Sequence, residues 1–245
     1  MLLSPVKEIE KKLINLKNED RACFLKNYFS SDLDVLGISS PKQRKIFNEG
    51  FSWSFKTERN QLKIWDKIWK EGKSIEVMNQ PLYWLNKIKH KEDLSFRWKV
   101  VSKWINKVEN WVHSDSLSNY YSLALEQNQK ITFPYIKKWN TSNNLWKRRQ
   151  SLTCLLFYAR FRKKTLPSNV ILSLISNLLS DEEYFVQKGV GWSIRECWQV
   201  YPNETLNFLY KNIKQISSVA FSPATEKISK IDKIKLKEIR KSKKL

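Results

Sequence analysis

Two short stretches hold the residues whose types and spacing are suited to chemistry. Trp111-Val-His-Ser-Asp115 sets an indole and a carboxylate four residues apart, on one face of a helix if the helix runs through both. The competing reading has Asp115 capping a helix that starts at Ser116 or Leu117, with Trp111 in the core. The second stretch is Phe185-Val-Gln-Lys-Gly-Val-Gly-Trp-Ser-Ile-Arg-Glu-Cys197. Wound as a helix, it gathers Val186, Val190, Ile194 and Cys197 on one stripe and turns Lys188, Trp192 and Arg195 away from it. A tryptophan between two cations, off the apolar stripe, is not placed for packing within its own repeat; the alternative is that it covers a neighbouring helix. Asp181 and Glu182 sit where that helix is expected to start, at the positive end of its dipole. Gly189 and Gly191 each cost about 1 kcal/mol of helix propensity against alanine, which points to close approach of another backbone.

The elements that carry these stretches read as helices almost throughout. Ile9, Leu13 and Leu16 repeat among charges, and Phe24, Tyr28 and Phe29 continue the pattern. Pro41 suits a first helical turn after a serine cap. Helices are expected around 42–51, 61–69 and 75–88, with Pro81 kinking or dividing the last. Trp98, Val101, Trp104, Ile105, Val108 and Trp111 repeat at three and four and predict one strong amphipathic helix, which Ser114-Asp-Ser116 then interrupts before 117–125. Pro134 is expected to open a short helix, and Thr141-Ser-Asn-Asn144 to form a loop and a cap. Helices at 146–158, 167–179, 181–198, 202–213 and from Pro223 onward complete the chain, and no alternating strand is visible. Trp146-Lys-Arg-Arg149 and Phe185-Val-Gln-Lys188 echo each other about forty residues apart, with a weaker copy at Phe96-Arg-Trp-Lys99, near the period of HEAT-like repeats. The expectation is an all-α fold, an α-solenoid of HEAT-like repeats with a concave basic face, in one domain over 1–230. Residues 231–245 form a basic tail in which Ile231, Ile234 and Ile239 could line a marginal helix; a frayed tail adding nonspecific phosphate affinity is the stronger expectation.

Charge narrows the partner. The 245 residues carry a formal net charge of +21, an excess that favours a polyanion, nucleic acid before anionic membrane. Cys23, Cys154 and Cys197 lie far apart in apolar patterns and read as reduced core thiols. With His90 and His113 the only histidines and no Cys-x-x-Cys, neither a metal nor any other cofactor is expected, and nucleophilic acyl chemistry is disfavoured. No G-x-S-x-G, P-loop, H-E-x-x-H or glycine-rich dinucleotide turn occurs. The opening Met1-Leu-Leu-Ser-Pro-Val-Lys-Glu breaks into charge too early for a signal peptide, and no long apolar run follows, so a soluble, cytoplasmic protein is expected.

On these residues the chain resembles the AlkD-type DNA alkylation repair family, DNA glycosylases built from HEAT-like repeats. Trp111 and Asp115 resemble its Trp-Asp-x-x-Asp element, and Trp146-Lys-Arg-Arg-Gln-Ser-Leu152 its Trp-x-Arg-Arg-x-Ala-Ile helix. Phe185 to Glu196 resembles its Phe-Val-x-Lys-Ala-Ile-Gly-Trp-Ala-Leu-Arg-Glu signature, the most specific of the three. The similarity runs from about Ala22 to Lys230. Val112 stands in place of the element's first aspartate, Asn110 where a second tryptophan is common, and Ser151, Gly189 and Ser193 in place of alanines. The resemblance implies that Trp111 and Trp192 pack around a lesion's deoxyribose while Asp115 supplies a carboxylate. It further implies that Arg149, and with less support Arg148, hold backbone phosphate with Arg195 and Lys188 nearby. The implied partner is duplex DNA containing N3- or N7-alkylated purines, bound by a monomer without a base-flipping pocket. A noncatalytic DNA- or RNA-binding solenoid and a protein scaffold are the other classes the residues leave open; salt-dependent duplex binding separates the scaffold.

Overall fold

Side-chain caps set where many of the helices begin. Ser4, Asn18, Asn128, Asn144, Ser217 and Ser229 each accept the backbone N–H three residues ahead, satisfying a donor that the first turn leaves without a partner. The computed structural model describes residues 3–87 and 94–242, so Ile88, His90 and the last three residues lie outside the described part. Fourteen α-helices are found among the described residues, and the one extended feature is an isolated bridge between Asp34 and Ser74. The all-α expectation holds. No described helix is long and apolar enough to cross a membrane. The chain divides into two compact units, Met1–Leu117 and Ser118–Leu245.

The first unit contains α1 (Pro5–Ile14), α2 (Glu19–Phe29), α3 (Ser40–Glu49), α4 (Glu58–Glu71), α5 (Ile75–Lys87), α6 (Leu94–Val101) and the start of α7 (Trp111–Gln127). Ile9 and Leu13 bury one face of α1 against α4 and α5, and α3 packs on α5. Pro81 neither divides nor ends α5, which runs through it. The single helix expected over 98–111 is broken into α6, a 3₁₀ turn at Trp104–Lys107 and a new helix at Trp111. Two indoles impose the break: Trp104 donates its ring N–H to Asp66 Oδ1 at 2.9 Å, and its carbonyl accepts the ring N–H of Trp69 at 3.0 Å. The rings stack with centroids 5.2 Å apart. The predicted interruption at 114–116 is absent, because α7 runs unbroken from Trp111 to Gln127. Unlike its neighbours, α2 buries no side chain. It leaves Cys23 exposed, against the expectation of a core thiol, whereas Cys154 and Cys197 are buried.

The second unit contains the remainder of α7, then α8 (Gln129–Asn140), α9 (Leu145–Thr153), α10 (Ser168–Ser176), α11 (Tyr184–Val200), α12 (Pro202–Asn212), α13 (Ser218–Ala224) and α14 (Lys230–Lys241). Each helix from α9 to α11 packs on the next and on the next but one, the local pattern of a helical repeat array. At its centre, Val186, Val190, Ile194 and Cys197 of α11 are fully buried, as the stripe predicted. Burial raises the Cys197 thiol to about 11, so it stays protonated. Five boundaries differ from expectation, the first being that Pro223 lies near the end of α13 and opens no helix. Pro134 lies inside α8, because Asn128 caps the helix six residues earlier and the ring forfeits only one early hydrogen bond. The helix expected over 146–158 stops at Thr153, and the chain turns at Tyr158 with φ of 49°. Asp181 and Glu182 precede α11 instead of opening it, since Asp181 is held by Arg148. Residues 230–241 form α14, capped by Ser229, in place of a frayed tail.

Candidate functional site

In the first unit the candidate residues stand at the start of α7. Asn110 fixes that start: its Oδ1 accepts the His113 backbone N–H at 2.9 Å, and its Nδ2 donates to His113 Nδ1 at 3.0 Å. With Nδ1 accepting, the ring proton lies on Nε2, facing the Ile75 carbonyl at 3.4 Å. The second tryptophan that the resemblance would place at 110 is thus replaced by a capping amide. Trp111, half-buried, meets the edge of Tyr28 at 5.4 Å and lies 6.3 Å from Phe29. Phe24 stacks on Tyr28 in turn, and both are exposed, at 69 and 56 %. The sequence placed these aromatics on a helix without linking them to Trp111; the available signal was two large rings on a helix with no core stripe. Asp115 sits one turn beyond Trp111, half-buried on the same face, and does not cap a helix.

Burial drives His113 down to about 4, so the imidazole is neutral in the fold. A histidine that protonates near 6.5 when unfolded and near 4 when folded contributes stability that is complete above 6.5 and drains away as pH falls toward 4. The loss expected at pH 5 is about 2 kcal/mol. Urea melts at pH 7.5 and 5.0 check this. His113→Gln, with no titrating ring, is expected to be weaker at pH 7.5 and to lose less on acidification than the parent.

In the second unit α11 carries Lys188, Trp192 and Arg195 on its solvent side, and α9 carries Arg148 and Arg149. Trp192 is half-buried, its ring 5.3 Å from Phe157 and 6.2 Å from Tyr158, with the Arg195 guanidinium 5.7 Å from its centroid. Tyr158 and the exposed Phe161 flank Arg160. This aromatic corner was not legible in the sequence. It is built by Glu196, 2 % exposed, which accepts the Ala159 backbone N–H at 2.8 Å and the Arg195 Nε at 3.2 Å. Arg195 also donates to Glu226 at 2.9 Å. Lys188 and Arg195 line a cleft of about 490 Å³ with Tyr184, Ser218, Ser222 and Glu226.

The two arginines of α9 are placed differently from a free phosphate clamp. Arg148 spends four of its five N–H donors on Asp181 (2.5 and 3.2 Å) and on the carbonyls of Ser142 and Asn143. Arg149 is 6 % exposed and donates Nη1 to the Phe185 carbonyl at 2.8 Å, with its stem beneath Gly189. Both stitch α9 to the approach and first turn of α11. Trp146 and Phe185, the aromatics of the internal echo, meet at 5.0 Å. The structure therefore joins Trp111 with Asp115 on α7, and Trp192 with Arg195 on α11.

Residues 9–228 match the family model described as DNA alkylation repair enzyme. Among solved structures, the chain is similar to a predicted DNA alkylation repair enzyme from Enterococcus faecalis, with a TM-score of 0.70 at 17 % identity over 87 % of this chain and 97 % of that one. It is also similar to AlkD2 from Streptococcus mutans, with a TM-score of 0.56 at 16 % identity over 86 % of this chain and 99 % of that one. Those identities speak to the fold alone. No curated protein matches the sequence.

Proposed function

Because the chain belongs to the DNA alkylation repair enzyme family, we propose that it is a DNA glycosylase that releases cationic N3- and N7-alkylated purines from duplex DNA. The observation that carries this reading is the indole–carboxylate pair of Trp111 and Asp115, one turn apart on an unbroken helix and both partly open to solvent. An alkylated purine of this kind already bears a positive charge and departs without a general acid. The bond that breaks joins C1′ to the base nitrogen; the base keeps the electron pair, and water then adds to the sugar cation. The protein has only to stabilise that cation. A carboxylate about 4 Å from it, at an effective dielectric of ~20, contributes roughly 4 kcal/mol, and an indole face adds about 1. Asp115 is assigned the carboxylate role and Trp111 and Trp192 the aromatic faces. Lys188, exposed and outside the ion pairs of the described residues, is assigned as the leading backbone-phosphate cation. Arg195 adds the two N–H donors that Glu196 and Glu226 leave it, and Arg148 and Arg149 support the frame as well as any phosphate contact. The test is mass-spectrometric identification of bases freed from methylated duplex DNA. Release of 3-methyladenine and 7-methylguanine is expected. Salt-dependent binding of that DNA with no base released would leave a noncatalytic DNA-binding protein.

A further inference from the structure

The family match ends at residue 228, and α14 lies wholly beyond it. It is nonetheless anchored. Leu236 is fully buried, Tyr210 donates its hydroxyl to Asp232 at 2.9 Å, and Arg240 lies over Phe221 while donating to Ser218 at 3.1 Å. These contacts fix which face is turned inward. Lys230, Lys237 and Lys241 are left exposed at i, i+7 and i+11, a single row on the outer side. None of the three forms a salt bridge among the described residues. The row spans about 16 Å along the helix axis, the length of several phosphates at ~3.4 Å of duplex axis per strand. It is continuous with the candidate site through Ser218, which holds Arg240 and also lines the cleft of Lys188 and Arg195.

We infer that α14 is a second, lesion-independent binding surface for the phosphate backbone of duplex DNA, attached to the repair fold to lengthen its grip. The inference rests on the proposed reading in taking DNA as the partner, but not on any catalytic residue. Exposed Ile231 and Ile234 on the same helix raise an anionic membrane as the rival polyanion. An anchored helix beside a cationic cleft in a DNA repair family favours DNA.

The experiment compares the full chain with the triple variant Lys230→Gln, Lys237→Gln, Lys241→Gln, which keeps every anchoring side chain and strong helix formers throughout. Binding to an undamaged duplex is followed by fluorescence anisotropy from 50 to 300 mM KCl. The slope of log affinity against log salt is expected to shrink by about 2–3, with affinity at 100 mM KCl falling tenfold or more. Release of alkylated purine at saturating enzyme is expected to stay unchanged. An unchanged slope overturns the inference, as does a variant that keeps its DNA affinity but no longer binds vesicles of phosphatidylcholine and phosphatidylglycerol. Ile231→Ser with Ile234→Ser should leave the duplex slope at the parent value; a comparable loss there would mean that folding of α14, not its lysines, was measured, and would also overturn it. Normal base release with an unchanged slope sinks this inference alone, whereas a shifted slope with no base release sinks the glycosylase reading alone.

Discussion

Asp115→Asn is expected to lower the release of 3-methyladenine and 7-methylguanine about a thousandfold while leaving duplex affinity equal or slightly higher. The magnitude follows from the charge: roughly 4 kcal/mol of attraction to a sugar cation, at ~1.4 kcal/mol per tenfold in rate, disappears when the carboxylate becomes an amide. The sign of the affinity change follows from removing a negative charge from a surface proposed to meet phosphates. The structure rules out one trivial cause of such a loss. Asp115 lies within α7 and caps nothing, and the start of that helix is held by Asn110 and His113, so the amide costs no cap. Single-turnover release and equilibrium binding, measured on one lesion-bearing duplex, separate the two effects. Near-parental turnover would remove Asp115 from the mechanism, and a fall in binding parallel to the fall in rate would recast it as a structural residue.

The helical stripe of α11 could be read directly from the sequence because a buried face needs only a 3.6-residue repeat of apolar side chains, and Val186, Val190 and Ile194 supply it. The same repeat misled at 98–111. Trp98, Val101, Trp104, Ile105 and Val108 are all buried, so the period reported burial correctly, yet the backbone between them breaks twice. What breaks it are indole hydrogen bonds to partners more than thirty residues away. Long-range pairs of this kind also decided the site. Arg148 and Arg149 read as phosphate cations from their local pattern, and only the fold brings Asp181 and the Phe185 carbonyl to them. Tyr158 and Phe157 reach Trp192 because Glu196 holds the Ala159 amide, a contact across 37 residues. Likewise Ile231, Ile234 and Ile239 suggested only a marginal helix; Tyr210 and Ser218, which anchor α14, lie on other elements. Short-range order was visible in residue types, and side-chain commitments made across the fold were not.

The two glycines of α11 are expected to respond to alanine with opposite signs. A Cβ at Gly191 would stand 2.4 Å from the Ala220 carbonyl oxygen, 2.5 Å from the Pro223 ring and 2.9 Å from Ala220 Cα. Two of those three atoms are backbone of α13, so no rotamer relieves the clash and the helices must part. Overpacking of this kind costs about 3 kcal/mol, which outweighs the ~1 kcal/mol gained in helix propensity. A Cβ at Gly189 meets only the Arg149 stem at 3.4 Å and lies 3.7 Å from its nearest other neighbours, ordinary contact distances. There the propensity gain is unopposed, and Gly189→Ala is expected to stabilise by up to about 1 kcal/mol. Thermal melts should show Gly191→Ala lowered by roughly 4–8 °C and Gly189→Ala raised by about 2–4 °C. Adding Pro223→Ala to Gly191→Ala should restore only part of the loss, because the Ala220 carbonyl remains. The consequence reaches the candidate site. Separation of α13 from α11 would pull Glu226 from Arg195, which Glu196 still holds, and free one of its N–H donors for phosphate, so Gly191→Ala should leave duplex affinity equal or slightly higher while lowering the melting point. Equal melting points for the two variants would show that α13 yields to the added methyl, and close packing at Gly191 would then no longer account for that residue.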